Sequence, residues 1–154
     1  MIRVATRQEM QAIDAYSIHN IGIPGMVLME KASMALFEEV VKRIHCHSRS
    51  LIVVEKGNNG GDGLALGRLM KEAGYDVTIY EVGGIQHASE SYLAQREILT
   101  KMGISVETNM PMGAYDVIID GIFGVGLTRE VTGIQKEVIK YLNNNYREVT
   151  PENK

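Results

Sequence analysis

Apolar residues recur along this chain in short runs and at helical spacing, which predicts strands that alternate with helices. The four predicted strands are residues 51–54, 75–81, 104–107 and 115–120. Helical patterns precede the first strand and follow the first, second and fourth strands, and glycines such as Gly74 and Gly103 are placed to end two of these helices. This alternation predicts an α/β, doubly wound, Rossmann-like three-layer fold with a mostly parallel sheet.

Two helices are predicted before the first strand. The first spans residues 7–19, and Thr6 and Glu9 fit a capping box at its start. Its expected apolar face, which should dock on the sheet, comprises Met10, Ile13 and Ser17 with Tyr16 alongside. The second helix spans residues 24–44, with Pro24 in its first turn. Its expected buried face comprises Met29, Ala32, Leu36 and Val40.

A glycine-rich segment, GNNGGDG at residues 57–63, joins the first strand to the next helix. Its four glycines can take positive φ and allow a ligand to approach the main chain, although a plain βα turn fits the glycines equally well. The side chains of Asn58, Asn59 and Asp62 supply more oxygen ligands and amide donors than a turn requires. The segment matches neither of the two commonest nucleotide-binding fingerprints.

A second glycine-rich segment, residues 120–129, follows the last predicted strand. Taken alone it fits an ordinary βα loop. In a parallel sheet, however, both segments lie at the carboxyl edge, where ligands bind near the point of strand-order reversal. If the two strands are neighbours, Asn59 and Asp120 come within reach of one ion or ligand.

Length, composition and charge limit the classes of function that this chain can have. A chain of 154 residues with 45% hydrophobic content predicts one globular domain over residues 1–154, with a frayed polar tail at about 143–154. A net charge of −3 offers no basic field for nucleic acid, and no apolar run is long enough for a membrane span. Cys46 has no disulfide partner, and the N-terminus lacks a signal-peptide core, so the cytoplasm is expected. The run His45-Cys46-His47 favours core or surface roles over a metal site, because adjacent side chains point in different directions.

Together these motifs resemble the NAD(P)H-hydrate epimerase family, also called the YjeF N-terminal-domain family. The resemblance runs from about Thr6 to Gly133 and includes an E-M-x-x-x-D helix, a G-I-P-x-x-x-L-M-E stretch, GNNGGDG, and D-G-I-F-G-V-G-L-T-R at residues 120–129. Gly121 replaces the family's alanine, and Glu55-Lys56 stands where relatives often carry small residues.

The resemblance implies epimerisation of the R and S forms of NADHX and NADPHX, which supplies a partner dehydratase with the S form. The implied substrate-binding residues are Asn58, Asn59, Gly60, Gly61, Asp62, Gly124, Val125, Gly126, Leu127, Thr128 and Arg129. Asn59 and Asp120 are the implied ligands of a potassium ion. Asp62 and Asp120 are the candidate catalytic acids or bases, because they are the only carboxylates in the two segments.

The family continues into further strands that bear a D-I-P-S-G segment, which this chain does not contain. The alternative to the epimerase is therefore a non-catalytic nucleotide-binding or scaffold module of the same fold, or an inactive fragment. Full retention of GNNGGDG and of Asp120 favours the enzyme. Without the further strands, Val117, Ile118 and Ile119 would form an exposed edge, which predicts a homo-oligomer, most simply a twofold dimer.

Overall fold

The computed structural model describes residues 4–125, 127–128 and 130–146. Its elements alternate between helix and strand after two amino-terminal helices. In chain order they are α1 (Arg7–Tyr16), a π-helical segment (Ser17–Ile21), α2 (Gly25–Val41), β1 (Ser50–Val54), α3 (Asn58–Glu72), β2 (Val77–Glu81), α4 (Glu90–Lys101), β3 (Val117–Gly121) and α5 (Gly133–Asn145).

The three strands form one parallel sheet in the order β2-β1-β3. Ile52 of β1 lies opposite Ile79 on one side and Ile119 on the other. This confirms the predicted α/β fold, and the first and last predicted strands are neighbours, which is the condition for Asn59 and Asp120 to approach one another. The third predicted strand, residues 104–107, is wrong: it makes a single bridge, through Glu107 and Tyr80. Only Glu107 reaches β2, and polar residues that favour turns follow it.

The core lies on both faces of the central strand β1, because successive strand side chains point to opposite faces. Ile52 and Val54 pack among residues of α3 and α4, including Met70 and Tyr92. On the other face the buried cluster contains Leu51, Val53, Tyr80, Val82, Tyr115, Ile122, Val138 and Leu142. The last two belong to α5, so helices cover both sides of the sheet and the predicted three-layer arrangement is confirmed.

The first helix begins as predicted but packs differently. Thr6 and Glu9 form the capping box, with the Thr6 amide donating to a Glu9 carboxylate oxygen at 2.7 Å. The expected docking of its apolar face on the sheet is wrong, because Met10, Ile13 and Tyr16 are 46%, 52% and 59% exposed. No residue of α1 is buried.

The second helix buries part of the predicted face: Met29 and Val40 face inward as predicted, but the two residues predicted between them do not. Met29 and Ser33 are its buried residues, and Phe37 and Val40 pack on the core behind them. Ala32 and Leu36, which were expected on the buried face, are exposed. Ser33 can be buried because its hydroxyl group has a hydrogen-bond partner there: it donates to the backbone carbonyl of Asp62 at 3.4 Å.

The remaining helix ends match the sequence signals in part. Ser89 caps α4, accepting from the Tyr92 amide, and Gly74 and Gly103 follow α3 and α4 as predicted, with positive φ. The last helix extends to Asn145, so the predicted frayed tail is wrong for residues 143–145; residues 147–154 lie outside the described part. Among the described helices, none is both long enough and apolar enough to cross a membrane.

Candidate functional site

The glycine-rich segment after β1 is helical, not a loop. Gly57 is the N-cap and α3 begins at Asn58, so the segment forms the first turns of the helix. None of its glycines has positive φ, so the backbone does not use the left-handed conformation that glycine allows here. Their role is to let the helix start approach its neighbours closely.

At three positions that approach is so close that a Cβ atom would require a neighbouring atom to shift. A Cβ atom on Gly60 would lie 1.7 Å from the backbone oxygen of Glu55. One on Gly63 would lie 2.7 Å from the Val54 Cγ1 atom, and one on Gly61 would lie 2.8 Å from the Met29 Cε atom. The start of α3 is therefore pressed between the end of β1 and α2.

This packed turn borders a cleft of about 1160 Å³, large enough for a ligand of dinucleotide size. The cleft lies between α1, the start of α3 and the segment that follows β3. Of the predicted site residues, those that line it are Asn58, Asn59, Asp62, Asp120, Gly124, Val125, Leu127 and Thr128. Both glycine-rich segments thus meet at one site, as predicted from their place at the carboxyl edge of the sheet.

The other predicted site residues lie elsewhere. Gly60 and Gly61 are buried beneath the cleft rather than among its lining residues, because they contact Glu55 and Met29. Gly126 and Arg129 fall outside the described residues.

Several lining residues were not predicted from the sequence. Gln11 and Asp14 reach the cleft from α1, and Ile122 and Phe123 add apolar surface after β3. Glu55 also lines it. The signal for Asp14 was present, because it is the acid of the E-M-x-x-x-D stretch, but the periodicity of α1 pointed to the apolar face instead.

Asn59 and Asp120 come to the cleft from adjacent elements. Asp120 pairs in register with Val53 of β1, and its Oδ1 atom accepts a hydrogen bond of 2.9 Å from the Ile122 amide. Glycine at position 124 lets the segment after β3 approach Asn59, since a Cβ atom there would lie 3.2 Å from the Asn59 Cβ. An amide oxygen and a carboxylate oxygen are suitable ligands for a hard cation.

The described residues do not form a zinc-type site of His, Cys, Asp and Glu side chains. Within the described ranges, no group of three or more His, Cys, Asp and Glu side chains is placed to hold a metal ion. Cys46 is exposed and has no disulfide. Asn59 and Asp120 fit a hard cation because both offer oxygen, whereas a structural zinc site would need four closely arranged nitrogen or sulfur ligands.

The electrostatics of the cleft are dominated by carboxylates. Asp14, Glu55, Asp62 and Asp120 all line it, and none of the described lining residues is basic. Burial, and then the negative charge of Asp14, raises the pKa of Asp62 to about 6. A carboxyl group with such a pKa can both give and accept a proton near neutral pH.

Proteins of known family and name are similar to this chain over most of its length. The family described as YjeF-related protein N-terminus matches residues 25–151. The NAD(P)H-hydrate epimerase of Levilactobacillus brevis is 41% identical over 145 residues, which cover 93% of this chain and 67% of that protein. The NAD(P)H-hydrate epimerase of Limosilactobacillus reuteri (strain DSM 20016) is 37% identical over 144 residues, covering 92% and 68%. The chain thus spans about two thirds of the length of these relatives.

A solved structure has the same fold. The structure titled "Crystal structure of yeast ynu0, YNL200c" aligns with a TM-score of 0.74 at 19% identity, over 94% of this chain and 66% of that one. At this identity the likeness concerns the arrangement of strands and helices.

Proposed function

This chain belongs to the YjeF N-terminal-domain family, and on that basis we propose that it is an NAD(P)H-hydrate epimerase. The substrates are NADHX and NADPHX, the hydrated forms of the reduced nicotinamide nucleotides, whose R and S forms the enzyme interconverts. One observation carries the proposal: the fold brings both glycine-rich family motifs to a single cleft of sufficient size. The identity of 37% to 41% with proteins of that name supports it.

The substrate would lie between the two glycine-rich segments. Asn58, Asn59 and Asp62 contact it from the start of α3, and the segment of Gly124, Val125, Leu127 and Thr128 contacts it from the other side. Ile122 and Phe123 offer apolar surface for a nicotinamide or adenine ring. Polar and apolar contacts in one cleft are typical of sites that orient a nucleotide.

A potassium ion held by Asn59 and Asp120 is part of the proposal. Four carboxylates and a substrate that carries a diphosphate would repel each other, and a bound cation offsets part of that repulsion. The ion supplies electrostatic attraction for the diphosphate and fixes the two segments relative to each other. The Ile122 amide already holds the Asp120 carboxylate in place for it.

The remaining parts of the proposal concern partners and location. An NAD(P)HX dehydratase would consume the S form that this reaction supplies. The unpaired, exposed thiol of Cys46 suits the reducing environment of the cytoplasm. A homodimer through β3 is also proposed, because β3 is an outer strand of the described sheet.

The direct test is an epimerase assay. The purified chain is incubated with R-NADHX in potassium buffer, and the S form is quantified by chromatography against the spontaneous rate. We expect a rate well above the spontaneous one, reduced when sodium replaces potassium. Nucleotide binding without turnover would favour the non-catalytic binding module instead.

A further inference from the structure

We propose that Asp62 is the residue that passes a proton to and from the substrate's hydroxyl group, and that Asp14 is a positioning residue that acts on Asp62 across the cleft. This inference rests on the proposed function and assigns a catalytic role within it.

The first argument is the way the backbone fixes Asp62. Between residues 60 and 63 it is the only one with a side chain, and its glycine neighbours are held against Glu55, Met29 and Val54. Its own carbonyl accepts a hydrogen bond from the buried Ser33 hydroxyl. A turn held on three sides places the one remaining side chain, that of Asp62, at a defined point of the cleft.

The second argument is that the Asp62 carboxylate has no structural partner in the described part of the chain. Asp62 is half-buried, yet its side chain makes no hydrogen bond or ion pair within the described part of the chain. Asp120, in contrast, accepts a hydrogen bond from the Ile122 amide and is thereby oriented. A partly buried carboxylate without a structural partner costs stability, so its retention at the cleft points to a role in binding or chemistry.

The surroundings of Asp62 favour the protonated form. Among the residues that the structure describes, the other charged groups that line the cleft are Asp14 from α1, Glu55 after β1 and Asp120 on β3, and all three are acidic. From α2 the neighbours of this turn are Ser33 and Met29, which are uncharged. Burial and the charge of Asp14 raise the pKa of Asp62 to about 6, in the range that suits a general acid near neutral pH.

The proton transfer balances without any additional reagent except water. Protonated Asp62 donates to the hydroxyl oxygen, the C–O bond breaks, and the lone pair of the ring nitrogen forms a C=N bond as water leaves. Water then adds to the other face of the ring, the C–O bond forms again, and the C=N electron pair returns to nitrogen. The proton released by that water returns through solvent to the Asp62 carboxylate. The acidic cleft stabilises the cationic intermediate electrostatically.

The first test compares Asp62→Asn with a matched control, Glu38→Gln, which removes an exposed carboxylate on α2. After subtraction of the spontaneous rate, Asp62→Asn should lower kcat for R-NADHX by about 100-fold or more. Its dissociation constant for NADH, measured by calorimetry, should change less than about threefold. Glu38→Gln should match the wild type in both measurements, and thermal melts by circular dichroism verify that each variant is folded.

The second test uses the pH profile, which a merely structural role would not move. If protonated Asp62 is the acid, kcat/KM of the wild type falls as the pH rises through about 6. Because the charge of Asp14 raises the pKa of Asp62, Asp14→Asn should lower that pKa and move the descending limb to lower pH. Glu38→Gln should leave the limb where it is.

The outcomes separate this inference from the proposed function. Wild-type kcat and an unchanged limb in Asp62→Asn would overturn the inference while the epimerase activity stands. An equal loss of NADH affinity and kcat in that variant would show that Asp62 acts only through nucleotide binding, and would also overturn the inference. A wild-type chain with no rate above the spontaneous one would refute the proposed function itself, and the inference with it.

Discussion

At the scale of single residues, Gly60 has the least room for a side chain. A methyl group there would lie 1.7 Å from the Glu55 backbone oxygen, so either α3 or the end of β1 must move. We expect Gly60→Ala to reduce the free energy of unfolding by about 3 kcal/mol or more, at or above the upper end of the usual range for overpacking. Urea denaturation measures the change.

The matched control is Gly57→Ser, in the same segment. Gly57 has φ −86° and ψ −177°, which any residue adopts, and the nearest atom to an added Cβ is 4.0 Å away. Serine is a preferred N-cap residue, so the unfolding free energy should stay within about 1 kcal/mol of wild type or rise. Equal losses in the two variants would show that close packing is not the reason for glycine at position 60.

The proposed cation site gives a second prediction at this scale. Asp120→Asn and Asn59→Ala should each weaken potassium and nucleotide binding, since each removes or weakens an oxygen ligand. The loss for Asp120→Asn should exceed the roughly 0.5–1.5 kcal/mol of one neutral hydrogen bond, because a charge is removed. Calorimetry in potassium and in sodium buffer measures both affinities.

The control for these variants is Asp76→Asn, which removes a carboxylate that is 58% exposed at the opposite end of the sheet, just before β2. It should leave both affinities unchanged. If Asp120→Asn binds the nucleotide as tightly as wild type in potassium buffer, Asp120 does not contribute to the site.

The sequence identified side chains at the site better than it identified what the glycines do. Asn58, Asn59, Asp62 and Asp120 were predicted from their chemistry, and all line the cleft. The role of the glycines could not be predicted, because a sequence does not distinguish a glycine that needs positive φ from one that needs space. That distinction depends on neighbours such as Glu55, which only the fold brings into contact.

At the scale of elements, periodicity predicted helices and strands but not always their partners. The sequence of α1 is amphipathic as predicted, but its polar residues Gln11 and Asp14 line the cleft, whereas the apolar Ile13 is exposed to solvent. In α2 the predicted buried face included Ala32, whereas the next residue, Ser33, is the buried one although it is polar. Hydrophobic spacing cannot reveal that a distant carbonyl, that of Asp62, satisfies the serine hydroxyl.

A buried polar cluster ties β2 to α4 and gives a third prediction. The Tyr92 hydroxyl donates to Glu81 at 2.7 Å, and Arg96 Nε donates to the same oxygen at 3.1 Å. Tyr92 is fully buried and Glu81 is 4% exposed. Tyr92→Phe should therefore reduce the unfolding free energy by about 1.5–3 kcal/mol, the usual contribution of a hydrogen bond to a charged group.

Tyr141→Phe on α5 is the matched control, because that ring is 41% exposed. Its unfolding free energy in urea should lie within about 0.5 kcal/mol of wild type. A loss in Tyr92→Phe no larger than in this control would mean that Arg96 alone satisfies Glu81.

At the scale of the whole molecule, the alternation of strands and helices was enough to predict the parallel sheet and the edge at which ligands bind. It was not enough to predict which residues pair at the outer edges of the sheet. Residues 104–107 have the composition of a strand but only Glu107 bonds to β2. Pairing at an edge depends on where the chain turns next, which is not encoded in the apolar run itself.

The outer strand β3 leads to the last prediction, which concerns self-association. The strand is half-buried at Val117, Ile118 and Ile119. Ile118 and Ile119 pack on the two core clusters, one on each face of the sheet. The edge of β3 that faces away from β1 pairs with no strand in the described sheet. Unpaired edge amides and carbonyls recruit another chain, and lysine on an edge strand opposes this. We therefore expect a dimer in light scattering over a micromolar dilution series, and Val117→Lys should shift it to monomer.

Two further variants separate the edge from other exposed apolar surface. Met112→Lys adds the same charge at a residue 91% exposed, shortly before β3, and should leave the dimer intact. Ile13→Lys alters the exposed face of α1, so dissociation by this variant but not by Val117→Lys would place the interface on α1 instead. A wild-type chain that is monomeric and unfolds cooperatively at every concentration would refute association through either surface, because lysine then has no interface to break.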